Sequence, residues 1–410
     1  MGFTKRMYEE ELERGFARTG KQICRECVAD QALQAVVDEE LAEDPCSYCG
    51  AAESAPLDAV IAHMLMALRF EYRPASEESP PWDGAEGGYQ ARDYWLPDLI
   101  FDHLSDDLPE ATYDDIRDAV VAYDEPWFDR DVFALRPHQQ MLLSWDRFAR
   151  IASRRPEDEL RPRARRAQDP DAWINTDHVL DAIADALAEL PDAFRIIETG
   201  SLVWRARSDE HGPVRLTAAG LGPPSHDAPV RAGRMNRPNQ VRFYGASELD
   251  TALLEVFRFH KNVSLWVGEW TTLRPLTLLD LTASRLAAPS IYDLGRQAGR
   301  VTARFLEEFG QAIARPVISR TNDPASYRPS QLLTEYARTE LETRIGVRPD
   351  GIAYPSSRAP GANIAIFISA DACTDLLKPG PGHVLRLDME RVQQVSHTDA
   401  RRRWQRTRHR

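Results

Sequence analysis

The amino-acid sequence predicts a multidomain protein in which a four-cysteine zinc module and an α-helical bundle precede an α+β domain. The chain has 410 residues, more than one hydrophobic core usually organises. Two cysteine pairs lie near the amino terminus, and after Ile196 the hydrophobic pattern changes from helical spacing to short β-rich runs. We expect a zinc module at 1–55, a helical domain at 56–152, a basic linker at 153–172, the α+β domain with a leading helix at 173–395 and a basic tail at 396–410.

The composition restricts the compartment and the partners. Hydrophobic residues make up 43% and charged residues 28% of the chain, as in a folded globular protein. Residues 1–18 lack the apolar stretch of a secretory signal, and no later run reaches the ~20 apolar residues of a membrane helix. Five cysteines, four of them in tight pairs, are unlike a disulfide framework. We expect a soluble cytoplasmic protein without membrane contact, and a net charge of −13 argues against nucleic acid as a partner.

The zinc module is predicted from four cysteines in two Cys-x-x-Cys pairs. Two such turns can place four thiolates around one ion, and Gly50 relieves the backbone where the second turn reverses. A shell of four cysteines leaves no position for water or substrate, so the ion is expected to be structural. The intervening segment, 28–45, carries six acidic and no basic residues, which argues against DNA binding. The expected ligands are Cys24, Cys27, Cys46 and Cys49.

Helical patterns dominate the segment after the zinc module. A stripe of apolar residues predicts an amphipathic helix, and further helices are expected at 97–103, 113–123 and 140–151, with a loop at 76–90. A proline-interrupted basic run between 153 and 171 is interpreted as the linker, and a new helix is expected from Asn175 or Thr176 to Pro191. The first stripe consists of Leu57, Val60, Ile61, Met64, Leu65 and Leu68.

The carboxyl-terminal tail combines arginines with Trp404. It is interpreted as a solvated terminus, with contact to nucleic acid or to an acidic surface of the same protein as the alternatives.

Five short segments of the second half carry chemistry. An expected strand bears Arg205 and Arg207, whose guanidinium groups suit phosphate. A polar loop, 233–238, leads into a strand over 241–244, and Ser247-x-x-Asp250 is interpreted as a capping box that opens a helix bearing Glu255. A serine-bearing turn over 351–361 precedes a strand over 364–368. The residues that carry the pattern are Arg205, Gly-Arg-Met-Asn-Arg-Pro from 233 to 238, Phe243-Tyr244, Thr251-Ala252-x-x-Glu255-Val256 and Tyr354-Pro355-Ser356.

In this order the segments resemble the RES domain, a family named for its Arg, Glu and Ser positions, from about Ile196 to Asp388. The amino-terminal part is similar to the zinc-bearing, HEPN-related domain that precedes RES domains in some bacterial proteins. The resemblance implies a fold like that of ADP-ribosyltransferases. It also implies a toxin of a toxin–antitoxin or phage-defence system that consumes NAD+ by hydrolysis or phosphorolysis of the nicotinamide–ribose bond.

The resemblance also suggests roles for individual residues. Glu255 would stabilise an oxocarbenium-like ribose, and Tyr244 would hold the nicotinamide on its aromatic face. Arg205 would bind the pyrophosphate or a ribose, with Arg207 as a competitor on the same side of the strand. Ser356 would donate a hydrogen bond to phosphate or to an attacking anion. The mouth of the site would include Arg234 and Asn236.

Other functions stay open at this point. The same site could transfer ADP-ribose to a protein or nucleic acid, or the chain could be a catalytically idle interaction protein. RNA cleavage by the HEPN-related domain is disfavoured, because Arg136-Pro137-His138 has the wrong spacing and Pro137 interrupts the helix. An enzyme that degrades NAD+ needs restraint, which predicts an inhibitory or regulatory protein partner or assembly into a homo-oligomer.

Overall fold

A computed structural model describes residues 11–407 of the chain, except 12, 29, 78–79, 81, 86, 105–107, 122–124, 155–177, 211, 260, 262, 283–287 and 316–323. The chain forms two compact units, called here the first and the second unit. The first unit comprises Met1–Pro137 and Ala288–Val301, and the second comprises His138–Ala287 and Thr302–Arg410. The predicted linker lies outside the described residues from position 155 onward.

The described part of the first unit includes seven short strands and four helices with defined bounds, besides helical residues at Glu11, Glu13 and Arg14. The strands form the antiparallel pair β1–β2, the antiparallel sheet β3–β7–β6 and the hairpin β4–β5. The helices are α1 (Gln31–Glu39), α2 (Leu57–Leu68), α3 (Leu96–Phe101) and α4 (Glu110–Val121). The strands are β1 (Gln22–Ile23), β2 (Ala55–Pro56), β3 (Tyr72–Pro74), β4 (Trp82–Asp83), β5 (Gly88–Tyr89), β6 (Asp93–Tyr94) and β7 (Trp127–Asp129).

Helix α2 confirms the predicted apolar stripe, since all six of its predicted residues are buried. The helices predicted over 97–103 and 113–123 are present as α3 and α4. The segment 76–90 was expected to be a loop, but it contains the hairpin β4–β5. The rings of Trp82 and Tyr89 meet edge to face across this hairpin, with 4.9 Å between their centroids. The acidic segment between the cysteine pairs also contains a helix, α1. Its N-cap is Asp30, which accepts hydrogen bonds from the amides of Ala32 and Leu33.

The second unit contains the following elements in its described part. Helices are α5 (Pro137–Arg154, beginning one residue before the unit), α6 (Val179–Glu189), α7 (Ala218–Leu221), α8 (Leu249–Val256), α9 (Gln297–Ala314, whose first turn belongs to the first unit), α10 (Arg328–Thr339), α11 (Leu341–Ile345) and α12 (His397–Thr407). Strands are β8 (Phe194–Ile197), β9 (Leu202–Ser208), β10 (Phe243–Ala246), β11 (Leu265–Thr272), β12 (Leu276–Asp280), β13 (Gly351–Pro355), β14 (Ala362–Ile366), β15 (Cys373–Thr374), β16 (Leu385–Leu387) and β17 (Gln393–Val395).

These ten strands form one sheet, in the order β15-β16-β11-β9-β10-β14-β13-β12-β8, and β17 also pairs with β11. The β12–β13 and β15–β16 pairs are parallel, and the others are antiparallel. Mixed helices and sheet agree with the α+β prediction. Strand β10 occupies the middle of the sheet, between β9 and β14, and this neighbourhood determines which side chains meet at the site.

The tail forms a helix rather than a frayed terminus over its described part. Ala400 of α12 is fully buried, Arg403 pairs with Asp250 of α8, and Trp404 packs on the ring of Phe259 at 5.4 Å. Contact with an acidic group of the same protein is therefore the alternative that the structure supports. Among the helices of the described residues, none combines the length and apolar content needed to span a bilayer.

Candidate functional site

A cavity of about 510 Å³ lies in the second unit, a volume typical of small-molecule sites. Strands β9, β10, β13 and β14, helix α8 and the loops between them supply its wall. Of the seven site residues predicted in this unit, four belong to the lining and three, Arg207, Asn236 and Ser356, do not. The lining consists of Trp204, Arg205, Ala206, Gly233, Arg234, Tyr244, Gly245, Ala252, Glu255, Val256, Arg258, Tyr327, Tyr354, Ser357, Arg358 and Asn363.

The Glu255 carboxylate is held by two side chains that are remote in sequence. Its Oε1 atom accepts a hydrogen bond from Ser356 Oγ at 2.7 Å and another from Asn363 Nδ2 at 2.8 Å. Oε2 has no hydrogen-bond donor among the described residues. One oxygen is thus anchored to the protein, and the other is available to a ligand in the cavity.

Ser356 is fixed by the turn that contains it. Its hydroxyl oxygen accepts hydrogen bonds from the amides of Arg358 at 3.1 Å and Ala359 at 3.3 Å, so that its proton is left for Glu255. Thr251 Oγ1 donates to the carbonyl of Pro360, which ties the turn to α8. Gly361 closes the turn at a φ of +98°, a conformation that side chains with a Cβ rarely adopt.

The predicted capping box at the start of α8 is wrong. Helix α8 begins after Glu248, and no side chain caps it. The Ser247 hydroxyl accepts a hydrogen bond from the amide of Ala362 at 2.9 Å, and the Ser247 amide donates to the carbonyl of the same residue. Both groups therefore join the first residue of β14 to the segment that enters α8, and they extend the β10–β14 pairing by one residue beyond Ala246. Asp250 pairs with Arg403 instead of closing a box.

Tyr244 presents its ring to the cavity because its hydroxyl is anchored in the 233–236 loop. The hydroxyl donates to Asn236 Oδ1 at 2.7 Å and accepts from the Met235 amide at 2.9 Å. Burial raises the pKa of Tyr244 to about 12, so the phenol is neutral at physiological pH. Asn236 in turn donates from Nδ2 to the carbonyls of Arg231 and Arg237. Its structural contribution is to hold the loop and the phenol.

Helix α10 supports the same loop from behind. Gln331 Nε2 donates to the carbonyls of Gly233 and Asn236, both at 2.8 Å, and Ser330 Oγ donates to the carbonyl of Arg234. The Arg234 guanidinium bonds to the carbonyls of Ile313 and Arg315. Its position at the cavity wall is therefore fixed by backbone contacts.

Arg205 and Arg207 lie on the same side of β9, as predicted, and both bond to backbone carbonyls. Arg205 uses Nε, NH1 and NH2 toward the carbonyls of Leu221, Tyr244 and Gly222, and Arg207 bonds to the carbonyl of Gly220. Burial, with a smaller effect of the neighbouring Arg207 charge, lowers the pKa of Arg205 to about 9. Arg205 belongs to the cavity lining and Arg207 does not, which separates two residues that the sequence left in competition.

Asn363 and two further arginines complete the site and were absent from the sequence prediction. Asn363 lies within the apolar strand β14, opposite Tyr354 in the register, and is 8% exposed. The available signal was a polar residue inside a strand of buried Ala and Ile, which needs a hydrogen-bond partner. Arg258 and Arg358 lie near the carboxyl end of α8, where Arg258 donates to the carbonyl of Glu255 and Arg358 to that of Leu254.

The four predicted metal ligands come together in the first unit. Their Sγ atoms all lie within 4.8 Å of one another, with 3.4 Å between Cys24 and Cys49 and 3.9 Å between Cys27 and Cys46. Thiolates about 2.3 Å from a tetrahedral ion are about 3.8 Å apart, so this donor set fits one metal ion. Gly50 has a φ of +77°, as expected for the reversal after the second pair.

Electrostatics in the cluster also suit a cation. Burial opposes ionisation of Cys46, but amide groups of Tyr48, Cys49 and Cys24 lower the pKa of its thiol to about 6. Burial raises the pKa of Cys27. Four adjacent thiolates therefore need a positive ion to compensate their charge.

Two family models match the chain. Residues 39–157 match HEPN/RES N-terminal domain 1, and residues 202–389 match the RES domain. The predicted family and the order of its two parts are thereby confirmed. No curated protein and no solved structure matches the chain, so the expected likeness to ADP-ribosyltransferases stays a prediction.

Proposed function

We propose that this chain, a RES-domain protein that carries an HEPN/RES N-terminal domain, cleaves the bond between nicotinamide and ribose in NAD+. The observation that carries the proposal is the Glu255 carboxylate, held by two hydrogen-bond donors in a cavity that four arginines also line. The reaction class is glycoside hydrolysis or phosphorolysis with a positively charged pyridine as the leaving group.

Glu255 supplies the charge that this reaction requires. Departure of neutral nicotinamide leaves positive charge on the ribose ring oxygen and the anomeric carbon, and an adjacent carboxylate stabilises that charge. Ser356 and Asn363 both bond to Oε1, so the carboxylate is oriented before substrate arrives. Oε2 is then available for the ribose hydroxyls or the developing cation. Preorganised charge of this kind needs no rearrangement during the reaction.

The cavity also suits an anionic dinucleotide. Its lining contains four arginines and a single carboxylate. Among the described residues, none of these four guanidinium groups forms an ion pair with a carboxylate. Guanidinium groups without a carboxylate are suited to phosphate oxygens, which they bind bidentately. Four aromatic side chains in the lining offer faces for planar rings, and Tyr244 is the one that we propose for nicotinamide.

The first unit would contribute stability and regulation. We propose that the four cysteines bind structural zinc, because a closed shell of four thiolates leaves no coordination position for a reactant. Restraint by a protein partner or by self-association is proposed as well, since uncontrolled NAD+ cleavage is toxic to any cell.

Product analysis tests the function directly. Purified full-length protein is incubated with NAD+ in the presence and absence of phosphate, and the products are separated and identified. Free nicotinamide with ADP-ribose supports hydrolysis, and a phosphorylated ADP-ribose supports phosphorolysis. ADP-ribose attached to a macromolecule would instead indicate a transferase. Intact NAD+ under both conditions would count against the proposal.

Glu255→Gln provides the matched test of mechanism. It keeps the shape of the side chain and removes the charge, so kcat should fall on the order of 10²–10³-fold. Glu342→Gln is the control, because Glu342 lies on α11 with its side chain 61% exposed. An equal effect of both substitutions would contradict the assigned role.

A further inference from the structure

Two arginines at the rim of the cavity are arranged unlike the others. Arg258 follows α8 and lies three residues after Glu255, and Arg358 lies in the turn that also holds Ser356. Both donate from NH1 to the carbonyl of Phe257, at 3.2 and 3.1 Å. Two guanidinium groups thus share one acceptor at the carboxyl end of the helix that carries the carboxylate.

Neither group is in direct contact with a carboxylate among the described residues. Within the described ranges, Arg258 and Arg358 make no ion pair with a carboxylate, and their hydrogen bonds use NH1 alone. Nε and NH2 of each side chain therefore retain their donors, which is the edge that binds two phosphate oxygens side by side. Burial, followed by the positive charge of Arg258, lowers the pKa of Arg358, and the negative charge of Glu255 opposes this effect only in part.

The other two arginines of the cavity lining use more of their donors in hydrogen bonds to backbone carbonyls. Arg205 uses Nε and both terminal nitrogens on carbonyls, and Arg234 uses both terminal nitrogens on carbonyls. Their donors maintain the wall, whereas the Nε and NH2 edges of the rim pair are available for a ligand.

We propose that Arg258 and Arg358 form a clamp for the diphosphate of the substrate and make that diphosphate a requirement for efficient binding. The inference rests on the proposed function and adds the feature by which the substrate is selected. A dinucleotide would place its two phosphates across the pair, whereas a nucleoside without phosphate would leave both charges uncompensated. The clamp would also fix the reacting ribose relative to Glu255, because Arg258 lies three residues after Glu255 and its NH1 atom donates to the Glu255 carbonyl at 3.1 Å.

A series of three substrates tests the clamp. NAD+, nicotinamide mononucleotide and nicotinamide riboside contain the same scissile bond with two, one and no phosphate groups. Each hydrogen-bonded charge pair is worth about 1.5–3 kcal/mol, so Arg258→Ala and Arg358→Ala should each raise KM for NAD+ by about 10- to 100-fold. The effect should be smaller for the mononucleotide and absent for the riboside. Arg402→Ala, on an exposed arginine of α12, is the control.

Lysine variants keep the test valid if alanine disturbs folding. Arg258→Lys and Arg358→Lys retain the charge and a donor for the helix carbonyls but lack the planar edge. They should keep the wild-type circular dichroism spectrum and give an intermediate KM for NAD+. A KM for NAD+ that is unchanged in both the alanine and the lysine variants, or that rises equally for the riboside, would overturn the clamp.

Binding of ADP separates failure of the clamp from failure of the proposed function. ADP carries the diphosphate without nicotinamide, and its affinity for the full-length protein can be measured by calorimetry. ADP binding that weakens at least tenfold in both alanine variants supports the clamp even if NAD+ is not cleaved. Absence of ADP binding, or binding that is equal in wild type and variants, would overturn it even if NAD+ is cleaved.

Discussion

Asn363 offers the sharpest test of how the carboxylate is held. In Asn363→Ala the hydrogen bond from Nδ2 to Glu255 Oε1, 2.8 Å long, is lost, while the bond from Ser356 to the same oxygen remains. The side chain is 8% exposed, so water replaces the lost donor poorly. We expect Glu255 to sample orientations in which Oε2 no longer faces the reacting ribose.

The size of the effect follows from the partner's charge. A hydrogen bond to a charged group contributes about 1.5–3 kcal/mol, which corresponds to a loss of roughly 10- to 100-fold in kcat. KM should change less, because Asn363 acts on the carboxylate. Ser356→Ala removes the other donor to the same atom. Because the two side chains share one acceptor, the fold-loss of kcat in the double variant should differ from the product of the two single fold-losses.

The assay is NAD+ cleavage in a double-mutant cycle with Glu255→Gln. If Asn363 works through Glu255, its substitution has little further effect once the carboxylate is gone. A loss of activity that is equally large in the Glu255→Gln background would refute the positioning role. Melting curves of each variant, followed by circular dichroism, show whether a fall in kcat reflects loss of folded protein.

Three further substitutions test other parts of the structure. If the four cysteines bind zinc as proposed, Cys46→Ser should abolish that binding in metal analysis and lower the melting temperature of the first unit in calorimetry. Cys373→Ser, outside the cluster, should do neither. Gly233→Ala should weaken NAD+ binding, because its Cβ would meet two oxygen atoms of the loop network at 2.5 and 2.9 Å, whereas Gly299→Ala, in a helix with open space, should be neutral or stabilising in a thermal melt. Burial raises the pKa of Tyr244 from 10 to about 12, so the stability that its neutral phenol contributes is complete below pH 10 and is lost as the pH rises toward 12. The free energy of unfolding should fall there by about 1.4 kcal/mol per pH unit from this group. In Tyr244→Phe this part of the fall should be absent when unfolding is measured in denaturant titrations.

The sequence predicted features that depend on local spacing. Helix α2 has its core face where the apolar residues recur, and the four cysteines converge because each pair lies on one tight turn. The strands β3 to β7 were missed because each has only two or three residues, too few for a period of two to emerge. The strands β3 and β6 also pair with a strand that is distant in the chain, β7, as Tyr72 and Asp129 illustrate.

The site was predictable in its residue types but not in their bonds. Glu255 and Ser356 were selected through the family resemblance, yet their contact spans 101 positions and depends on the β10–β14–β13 neighbourhood. Arg205 was expected to bind pyrophosphate because an isolated guanidinium suits phosphate. Its carbonyl partners come from a short helix and from β10, which no local pattern reveals. Asn363 was missed because an apolar strand surrounds it.

The first unit shows why family boundaries in the sequence and folded units need not coincide. Residues 202–389 match the RES domain, yet Ala288–Val301 belongs to the first unit. Tyr292 is fully buried and donates from its hydroxyl to the carbonyl of Ile100 at 2.6 Å, and Arg300 pairs with Glu71 at 2.7 Å. Burial of one large side chain contributes about 1.5–3 kcal/mol, a substantial part of the 5–15 kcal/mol that stabilises a typical domain.

A chain that ends at Pro137 would therefore lack a buried aromatic residue and Arg300, one of the arginines that pair with Glu71, while it would keep the Arg136–Glu71 pair. We expect such a chain to melt at a lower temperature than the first unit within the full-length protein, and an added peptide of residues 288–301 to restore part of the difference. Equal melting temperatures without the peptide would show that the segment is dispensable for this core. If the peptide restores stability, residues 288–301 belong to the core of the first unit although they lie within the RES-domain match. A partner that binds and stabilises the first unit would then stabilise these residues as well.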